Sequence, residues 1–145
     1  MFMRTRALNH SVYRIQYHIV WGTRYRRKYI KPYVKREMLH SFEKTATDYP
    51  TLHLETVNTG EDHVHIQIEI PPNITIAAVV QALKARASIV LKKKFKFIRE
   101  MYLDGSIWSV GYFVSTIGLD EKTVKRYIEY QDKKDHGKTL RLGFS

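Results

Sequence analysis

The stretch HVHIQIEI, residues 63–70, alternates strictly between polar and apolar side chains. A period of two predicts a β-strand whose valine and isoleucines form one face and whose histidines, glutamine and glutamate form the other. The segment Pro71-Pro72-Asn73 then ends the strand. We therefore expect one buried face and one polar face, with His63 and His65 together on the polar face.

The rest of the chain forms a regular series of strands and helices around this one. Alternation predicts a strand over 12–21, and apolar residues at helical spacing predict a helix that begins at Pro32 and runs to about Tyr49. The remaining elements are predicted as strands at 52–58 and 107–115, a helix at 75–94, and a final helix at about 120–134 capped by Asp120 or Thr116.

This order predicts an α+β fold, a ferredoxin-like (RRM-like) β-α-β-β-α-β sandwich with a C-terminal helix added. The helices would cover one face of an antiparallel sheet, and the other face, with its histidines, would be free for a ligand. No repeat or linker divides the sequence, so residues 1–145 are expected to form a single domain.

The charge of the chain predicts a polyanionic partner. Lys and Arg total 25 against 14 Asp and Glu, which gives a net charge of +11. Residues 45–83 contain no Lys or Arg, so the basic side chains lie on either side of this segment. Nucleic acid is the commonest partner of such a protein, and two basic segments are expected to contact phosphates. They are Arg24, Arg26, Arg27 and Lys28 in a loop, and Lys92, Lys93 and Lys94 at a helix end.

Several function classes are excluded by composition. Cysteine is absent, so the chain has no disulfide, no thiolate nucleophile and no sulfur-ligated metal. No apolar run is long enough to span a membrane, and the N-terminal residues lack the apolar core of a signal peptide. A cytoplasmic protein without a membrane partner is expected.

Two pairs of side chains could carry chemistry. His63 and His65, at i and i+2 on one strand face, could both reach one metal ion. On the final helix the pair is Tyr127 and Gln131, one turn apart. With Thr123 they fall in step on a face next to the apolar anchors, and this face is expected to be the more polar one. Each pair alone is also compatible with an incidental surface or core role.

Four segments in order resemble the single-tyrosine HUH transposases of small bacterial and archaeal insertion sequences (insertion-sequence 200/605 type). The segments are HIVWGTRYRRKYI at 18–30, HVHIQIEIPP at 63–72, WSVGYFVSTIG at 108–118, and Tyr127 followed by Gln131. The resemblance covers nearly the whole chain.

This resemblance implies a metal-dependent enzyme that cleaves and rejoins single-stranded DNA carrying hairpins near the ends of a mobile element. His63, His65 and Gln131 would hold Mg²⁺ or Mn²⁺, and Tyr127 would form a 5′-phosphotyrosine and release a free 3′-OH. Such enzymes are homodimers, and each site can pair the histidines of one subunit with the tyrosine helix of the other.

Three alternatives stay open from the sequence. One is a single-stranded nucleic-acid-binding module without catalysis, in which sheet aromatics stack on bases. A second is a metal-dependent phosphodiesterase that uses water, in which Tyr127 is incidental. The third is a domesticated relative that cleaves chromosomal repeat hairpins.

Overall fold

The computed structural model describes residues 7–8, 11–12, 15–49 and 51–137 of the chain. Its strands are β1 (Ala7–Leu8), β2 (Ser11–Val12), β3 (Gln16–Gly22), β4 (His53–Thr59), β5 (His63–Glu69) and β6 (Phe113–Ser115). Its helices are α1 (Pro32–Asp48), α2 (Ile76–Lys94), α3 (Lys96–Met101) and α4 (Glu121–Asp135), with a 3-10 turn at Arg24–Arg26. Strands β1 and β2 form a two-stranded sheet, and the other four form one sheet.

The sheet confirms the predicted fold. Its spatial order is β4-β5-β3-β6, and every pair is antiparallel. In the β-α-β-β-α-β unit that begins at β3, this is the order second, third, first, fourth, as in the ferredoxin-like fold. The predicted strand at 63–70 is β5, which lies between β3 and β4 and is therefore fixed on both sides.

The core lies between the sheet and helices α1 and α2. Ile66 of β5 is opposite Ile19 on β3 and Val57 on β4, so the period-two pattern delivers a continuous apolar layer. Trp21, at the end of β3, packs edge-on against both Phe42 of α1 and Trp108. Each such fully buried side chain stabilises the fold by about 1.5–3 kcal/mol through burial alone.

The helix ends follow from local chemistry. The Thr75 side chain accepts a hydrogen bond from the Ala78 N–H at the start of α2, and Lys92 to Lys94 place positive charge at its carboxyl end. Phe95 leaves the helical conformation, so the basic run is followed by the short helix α3, which was not among the predicted elements.

The predicted strand at 107–115 is mostly wrong. Only Phe113–Ser115 forms a strand, while Trp108 makes a single bridge to Thr23. Gly111 has φ of +93°, a left-handed conformation that interrupts an extended strand. The strand predicted at 12–21 corresponds to β3, which begins at Gln16. Residue 12 belongs to β2, and positions 13–14 of the prediction lie outside the described residues.

The second face of the sheet is partly covered, contrary to the expectation that it is free. Helix α4 packs Val124, Tyr127 and Ile128 onto Val20 of β3 and Phe113 of β6. The histidines of β5 lie next to this covered half and keep partial exposure. In the described part of the chain, no helix is long and apolar enough to cross a membrane.

Candidate active site

Strand register places the two motif histidines beside β3. His63 is opposite Gly22 and His65 is opposite Val20, and directly opposite residues share a face of an antiparallel sheet. Both imidazoles therefore lie on the face that α4 packs against. The ring of His65 lies 5.6 Å from the ring of His18, which is on the same face of β3.

The imidazole of His63 is oriented by the residue before it. Its Nδ1 lies 2.9 Å from Oδ1 of Asp62, and the other carboxylate oxygen of Asp62 accepts a hydrogen bond from Nε of Arg26 at 3.1 Å. The hydrogen bond with His63 is the main reason that the pKa of Asp62 is lowered, partly opposed by burial and helped by Arg26. An ionised carboxylate on Nδ1 assigns the proton to that nitrogen and leaves Nε2 of His63 as an acceptor.

His65 is favoured in its neutral form. Burial lowers its pKa, and the positive charges that His18 and His63 can carry lower it further. Neutral imidazole is the form that ligates metal ions.

Helix α4 brings Gln131 to the end of β3. Asp120 caps the helix by accepting a hydrogen bond from the Thr123 N–H, so the predicted cap is confirmed. Oε1 of Gln131 accepts a hydrogen bond from the backbone N–H of Gly22 at 2.6 Å. A Cβ on Gly22 would lie 2.9 Å from that oxygen, so the close approach requires glycine.

The hydroxyl of Tyr127 is held by the same side chain. Nε2 of Gln131 donates to Tyr127 Oη at 3.0 Å and to the carbonyl of Gly111 at 3.1 Å. The Tyr127 ring packs against Phe113 at 5.5 Å and against Tyr130 at 6.0 Å. Burial raises the pKa of Tyr127 well above its ordinary value, and the hydrogen bond from Gln131 opposes this only in part.

The face of α4 that the sequence marks as the more polar one is buried. Tyr127 is 7% exposed and Gln131 is 1% exposed, so both are buried together with Val124 and Ile128. These polar side chains can lie between α4 and the sheet because the Gln131 amide has hydrogen-bonding partners there. A buried amide without partners would be strongly unfavourable.

These contacts join the predicted site residues through a single strand. Gln131 is bonded to Gly22, Gly22 is the register partner of His63, and Tyr127 is bonded to Gln131. Among the described residues, no three His, Asp or Glu side chains are grouped so that they could hold a metal ion. Any metal held here would need the Gln131 oxygen or oxygens of the substrate besides the two imidazoles.

The two basic segments converge around residues 101–105. Lys92 donates to the carbonyl of Gly105, where a Cβ would lie 3.6 Å from Nη1 of Arg24. Arg27 donates to the carbonyl of Met101 and stacks on Tyr102. Arg99 of α3 adds a further positive charge. It was not among the predicted phosphate contacts, because its position depends on that helix. We call Arg24, Arg27, Lys92 and Arg99 the basic surface.

Other predicted phosphate contacts have different surroundings. Arg26 is ion-paired with Asp62, and Lys94 is ion-paired with Glu37 at 3.0 Å. Lys28 and Lys93 are exposed. Arg26 therefore belongs to the histidine site as much as to the basic loop, and Asp62 is a further residue of that site which its position next to His63 could have indicated.

The site therefore combines a buried helix tyrosine with the β-strand that pairs with the histidine strand, in a chain that also carries a basic surface. The family profile described as "Transposase IS200 like" matches residues 11–131. The chain belongs to this family of IS200-like transposases.

Individual relatives agree with this assignment. The chain is 27% identical to the transposase for insertion sequence element IS200 of Salmonella typhimurium over 130 residues, 90% of this chain and 85% of the relative. It is 25% identical to the ISDra2 transposase TnpA of Deinococcus radiodurans over 125 residues, 86% of this chain and 89% of the relative.

Solved structures show the same fold. A crystal structure of a transposase from Deinococcus radiodurans R1 matches with a TM-score of 0.75 at 26% identity and covers 87% of this chain and 97% of that one. A REP-associated tyrosine transposase bound to a REP hairpin matches with a TM-score of 0.53 at 14% identity, over 85% of this chain and 68% of that one.

Proposed function

We propose that this transposase cleaves and rejoins single-stranded DNA through a covalent bond to Tyr127, with a divalent metal bound beside it. The observation that carries the proposal is the link from Tyr127 to Gln131 to Gly22, the register partner of His63. It places a tyrosine hydroxyl and a pair of imidazoles on the same face of one sheet. A binding module has no need of this arrangement.

The donor set suits Mn²⁺ or Mg²⁺. Two imidazole nitrogens favour Mn²⁺ over Mg²⁺ in affinity, while an amide oxygen suits both ions. Gln131 Oε1 already accepts from Gly22, but a carbonyl oxygen has a second lone pair that a cation can use. His63, His65 and Gln131 would hold the ion, which when bound would neutralise charge on the scissile phosphate and leave open positions for its oxygens.

In the proposed reaction, Oη of Tyr127 attacks the phosphorus of one phosphodiester. A bond forms between phosphorus and the tyrosine oxygen, and the bond to the 3′ oxygen breaks. The tyrosine loses its proton and the departing strand gains one, which leaves a 5′-phosphotyrosine and a free 3′-OH. Attack by a second 3′-OH reverses these changes and joins new strands without an external energy source, since one phosphodiester is exchanged for another.

The buried hydroxyl must become an anion for this attack. Burial opposes ionisation of Tyr127 by raising its pKa, so in the described arrangement the phenol is protonated and Gln131 holds its oxygen in place. Positive charge brought beside the hydroxyl together with the DNA would favour the phenolate. Gln131 can both orient the tyrosine and help to hold the metal. Its side-chain nitrogen donates to the Tyr127 hydroxyl, and its oxygen faces the strand that pairs with His63.

The proposed substrate is single-stranded DNA with a hairpin. A structural neighbour of this chain, the REP-associated tyrosine transposase, is described as bound to a REP hairpin. The basic surface supplies phosphate contacts of the kind that position a strand without reading its sequence. A domesticated relative that cleaves chromosomal repeat hairpins would use the same chemistry. The DNA that is cleaved, at the ends of a mobile element or at chromosomal repeats, distinguishes these two functions.

We also propose a homodimer. Among the described residues, strand β6 pairs with β3 on one side only, and the exposed residues Val110 and Ile117 flank it. Edge pairing with a second copy would cover both. In the described chain α4 contacts its own β3, so an exchange of tyrosine helices between subunits stays a prediction.

A denaturing gel tests the proposed function. The protein is incubated with 5′- and 3′-labelled hairpin DNA and Mn²⁺, and a covalent protein–DNA band is expected that carries only the label 3′ of the cleavage point. Binding without any cleavage would support the nucleic-acid-binding module. Cleavage without a covalent band would support the water-using phosphodiesterase.

A further inference from the structure

Lys84 points from α2 toward the segment on which the tyrosine helix rests. Its Nζ donates to the carbonyl of Ser109 at 2.9 Å and to the carbonyl of Gly111 at 2.7 Å. The same ammonium lies 5.8 Å from the ring centroid of Trp21. The resemblance to the transposases gives Lys84 no role, and it lies outside the basic surface.

The carbonyl of Gly111 is shared with the site. It accepts from Lys84 on one side and from Nε2 of Gln131 on the other, and that same nitrogen donates to Tyr127 Oη. A Cβ built on Gly111 would lie 3.5 Å from Tyr127 Oη, so this backbone forms the wall beside the hydroxyl. Lys84 is therefore two hydrogen bonds away from Gln131, and Gly111 is the link.

Two further contacts fix the segment to its surroundings. The Trp108 indole N–H donates to the backbone carbonyl of Lys84 at 3.0 Å, so α2 holds both ends of 108–111. The Ser109 hydroxyl lies 2.6 Å from the carboxylate of Asp135, at the end of α4. The segment is thus clamped between the two helices.

We propose that Lys84 is a positioning residue for the nucleophile. Its ammonium fixes the carbonyls of Ser109 and Gly111, so that Gln131 holds the Tyr127 hydroxyl in one orientation. The proposal rests on the proposed function for its effect on rate, and on the hydrogen bonds alone for its effect on Gln131.

The ammonium of Lys84 is held in partly buried surroundings. Burial lowers its pKa to about 8, with the negative charge of Asp135 opposing that change. The site thus holds an ammonium where a neutral group would be better tolerated. A methionine of similar length could fill the space beside Trp21, but it could not donate to the carbonyls of Ser109 and Gly111.

The first test is the pair Lys84→Met and Arg86→Met. Arg86 lies on the same helix in an exposed ion pair with Asp48, so the second variant loses the same charge and gains the same side chain away from the site. At saturating hairpin DNA and Mn²⁺, we expect Lys84→Met to form the covalent adduct about 10- to 100-fold more slowly, since small displacements of a reacting group have effects of this size. Arg86→Met should keep the wild-type rate, and both should bind DNA within about twofold of wild type, since neither change removes a phosphate-binding side chain of the basic surface.

A second readout needs no activity. The side-chain NH₂ signals of Gln131 in ¹H–¹⁵N spectra should shift in Lys84→Met and stay in place in Arg86→Met. If the wild type forms no adduct, the proposed function fails while these signals still decide whether Lys84 controls Gln131. Wild-type signals in Lys84→Met, or a wild-type rate of adduct formation, would overturn the proposal.

A chemical test separates the ammonium from the space it fills. The chain contains no cysteine, so Lys84→Cys can be alkylated at that position alone, and Lys84 lines an open groove that a small reagent can enter. Bromoethylamine restores an ammonium and bromopropane gives a neutral chain of similar length. Compared at equal folded fraction, only the aminoethylated protein should recover the adduct rate to within about threefold of wild type, because only it can donate to the two carbonyls. Equal rates for the two modified proteins would show that packing, and not the ammonium, is what matters.

Discussion

The side-chain oxygen of Gln131 lies 2.6 Å from the backbone nitrogen of Gly22, although 109 positions separate the two residues in the chain. This one hydrogen bond seats the tyrosine helix on the strand that is paired with the histidine motif. It also commits position 22 to glycine, because α4 lies where a side chain would project.

Gly22→Ala is expected to displace α4. The new Cβ would lie 2.9 Å from Oε1 of Gln131 and 3.3 Å from Cδ1 of Ile128, so the side chains that seat the helix must move. We expect the free energy of unfolding to fall by about 1–3 kcal/mol, as for other overpacked sites, and adduct formation to fall by more than about tenfold. Chemical denaturation and the adduct gel measure the two effects.

Gly118→Ala is the matched control, since a Cβ there meets nothing within 4 Å. It should keep both the stability and the adduct rate of the wild type. An unchanged rate in Gly22→Ala would mean that the seat of α4 on β3 is not used in the reaction.

Metal binding should depend on both histidines and on Asp62. His63→Ala and His65→Ala are each expected to abolish cleavage without unfolding the protein, and EDTA should abolish cleavage by the wild type. Asp62→Asn should weaken Mn²⁺ binding by about 10- to 100-fold, because the carboxylate orients the His63 ring. Titration calorimetry with Mn²⁺ measures the affinity directly.

His40, exposed on α1, provides the control for histidine removal. His40→Ala should bind Mn²⁺ and cleave DNA as the wild type does. Normal cleavage in EDTA, or by a protein that lacks both His63 and His65, would remove the metal from the proposal.

Hairpin binding should weaken steeply with salt because the basic surface displaces condensed counterions. Neutralising Arg27 and Arg99 together should reduce the slope of log affinity against log salt by about 0.7 to 0.9 for each phosphate that is no longer neutralised. The ion pair of Arg86 with Asp48 makes Arg86→Gln the control, and its slope should equal that of the wild type. An unchanged slope in the double variant would place the phosphate contacts elsewhere.

The proposed homodimer is tested at Ile117, which is 74% exposed just beyond β6. Ile117→Asp would bury an unpaired charge in an interface along this edge, so we expect the dissociation constant of the dimer to rise by about tenfold or more. Leu103→Asp, at an equally exposed site away from β6, should leave the dimer intact. Light scattering that finds the wild type monomeric and fully active would exclude the dimer.

The sequence predicted the sheet because each strand pattern is local. Period-two alternation identifies β5 and its histidine face without knowledge of the neighbours. The strand prediction for segment 107–115 was mostly wrong because tertiary contacts, and not the local pattern, decide its conformation. Its aromatic and β-branched residues favour a strand, but Gly111 takes a left-handed conformation. The Gly111 carbonyl accepts hydrogen bonds from side chains of two helices, α2 and α4. Which carbonyls α2 and α4 reach is decided by tertiary packing.

Part of the candidate site was likewise predictable from local spacing, and part depends on tertiary packing. Sequence spacing brings Tyr127 and Gln131 one helical turn apart, and the structure bonds them. The burial of both was not predictable, because it depends on a glycine far away in the chain that leaves room for α4. The convergence of Arg24 and Lys92 near Gly105 also required α3, a helix without a sequence signal strong enough to predict it.

The nucleophile itself is tested by Tyr127→Phe and Tyr130→Phe. The first removes one oxygen, the one that Gln131 holds, and keeps the ring that packs against Phe113. Loss of one hydrogen bond changes the free energy of unfolding by about 1 kcal/mol, so the protein should fold and bind hairpin DNA. It should form no covalent adduct and transfer no strand.

Tyr130→Phe is the control, since Tyr130 lies on the same helix with its ring 6.0 Å from that of Tyr127. Its side chain diverges by about 100° from that of Gln131 around the helix, so its hydroxyl is not expected to reach a metal held by that residue. Adduct formation and strand transfer should both survive in Tyr130→Phe. Mass spectrometry of the digested wild-type adduct should find the nucleotide on the peptide that contains Tyr127. An adduct that survives Tyr127→Phe and disappears with Tyr130→Phe would make Tyr130 the nucleophile. Cleavage that survives both changes would instead identify water as the attacking group, with the buried Tyr127 hydroxyl retained only for its bond to Gln131.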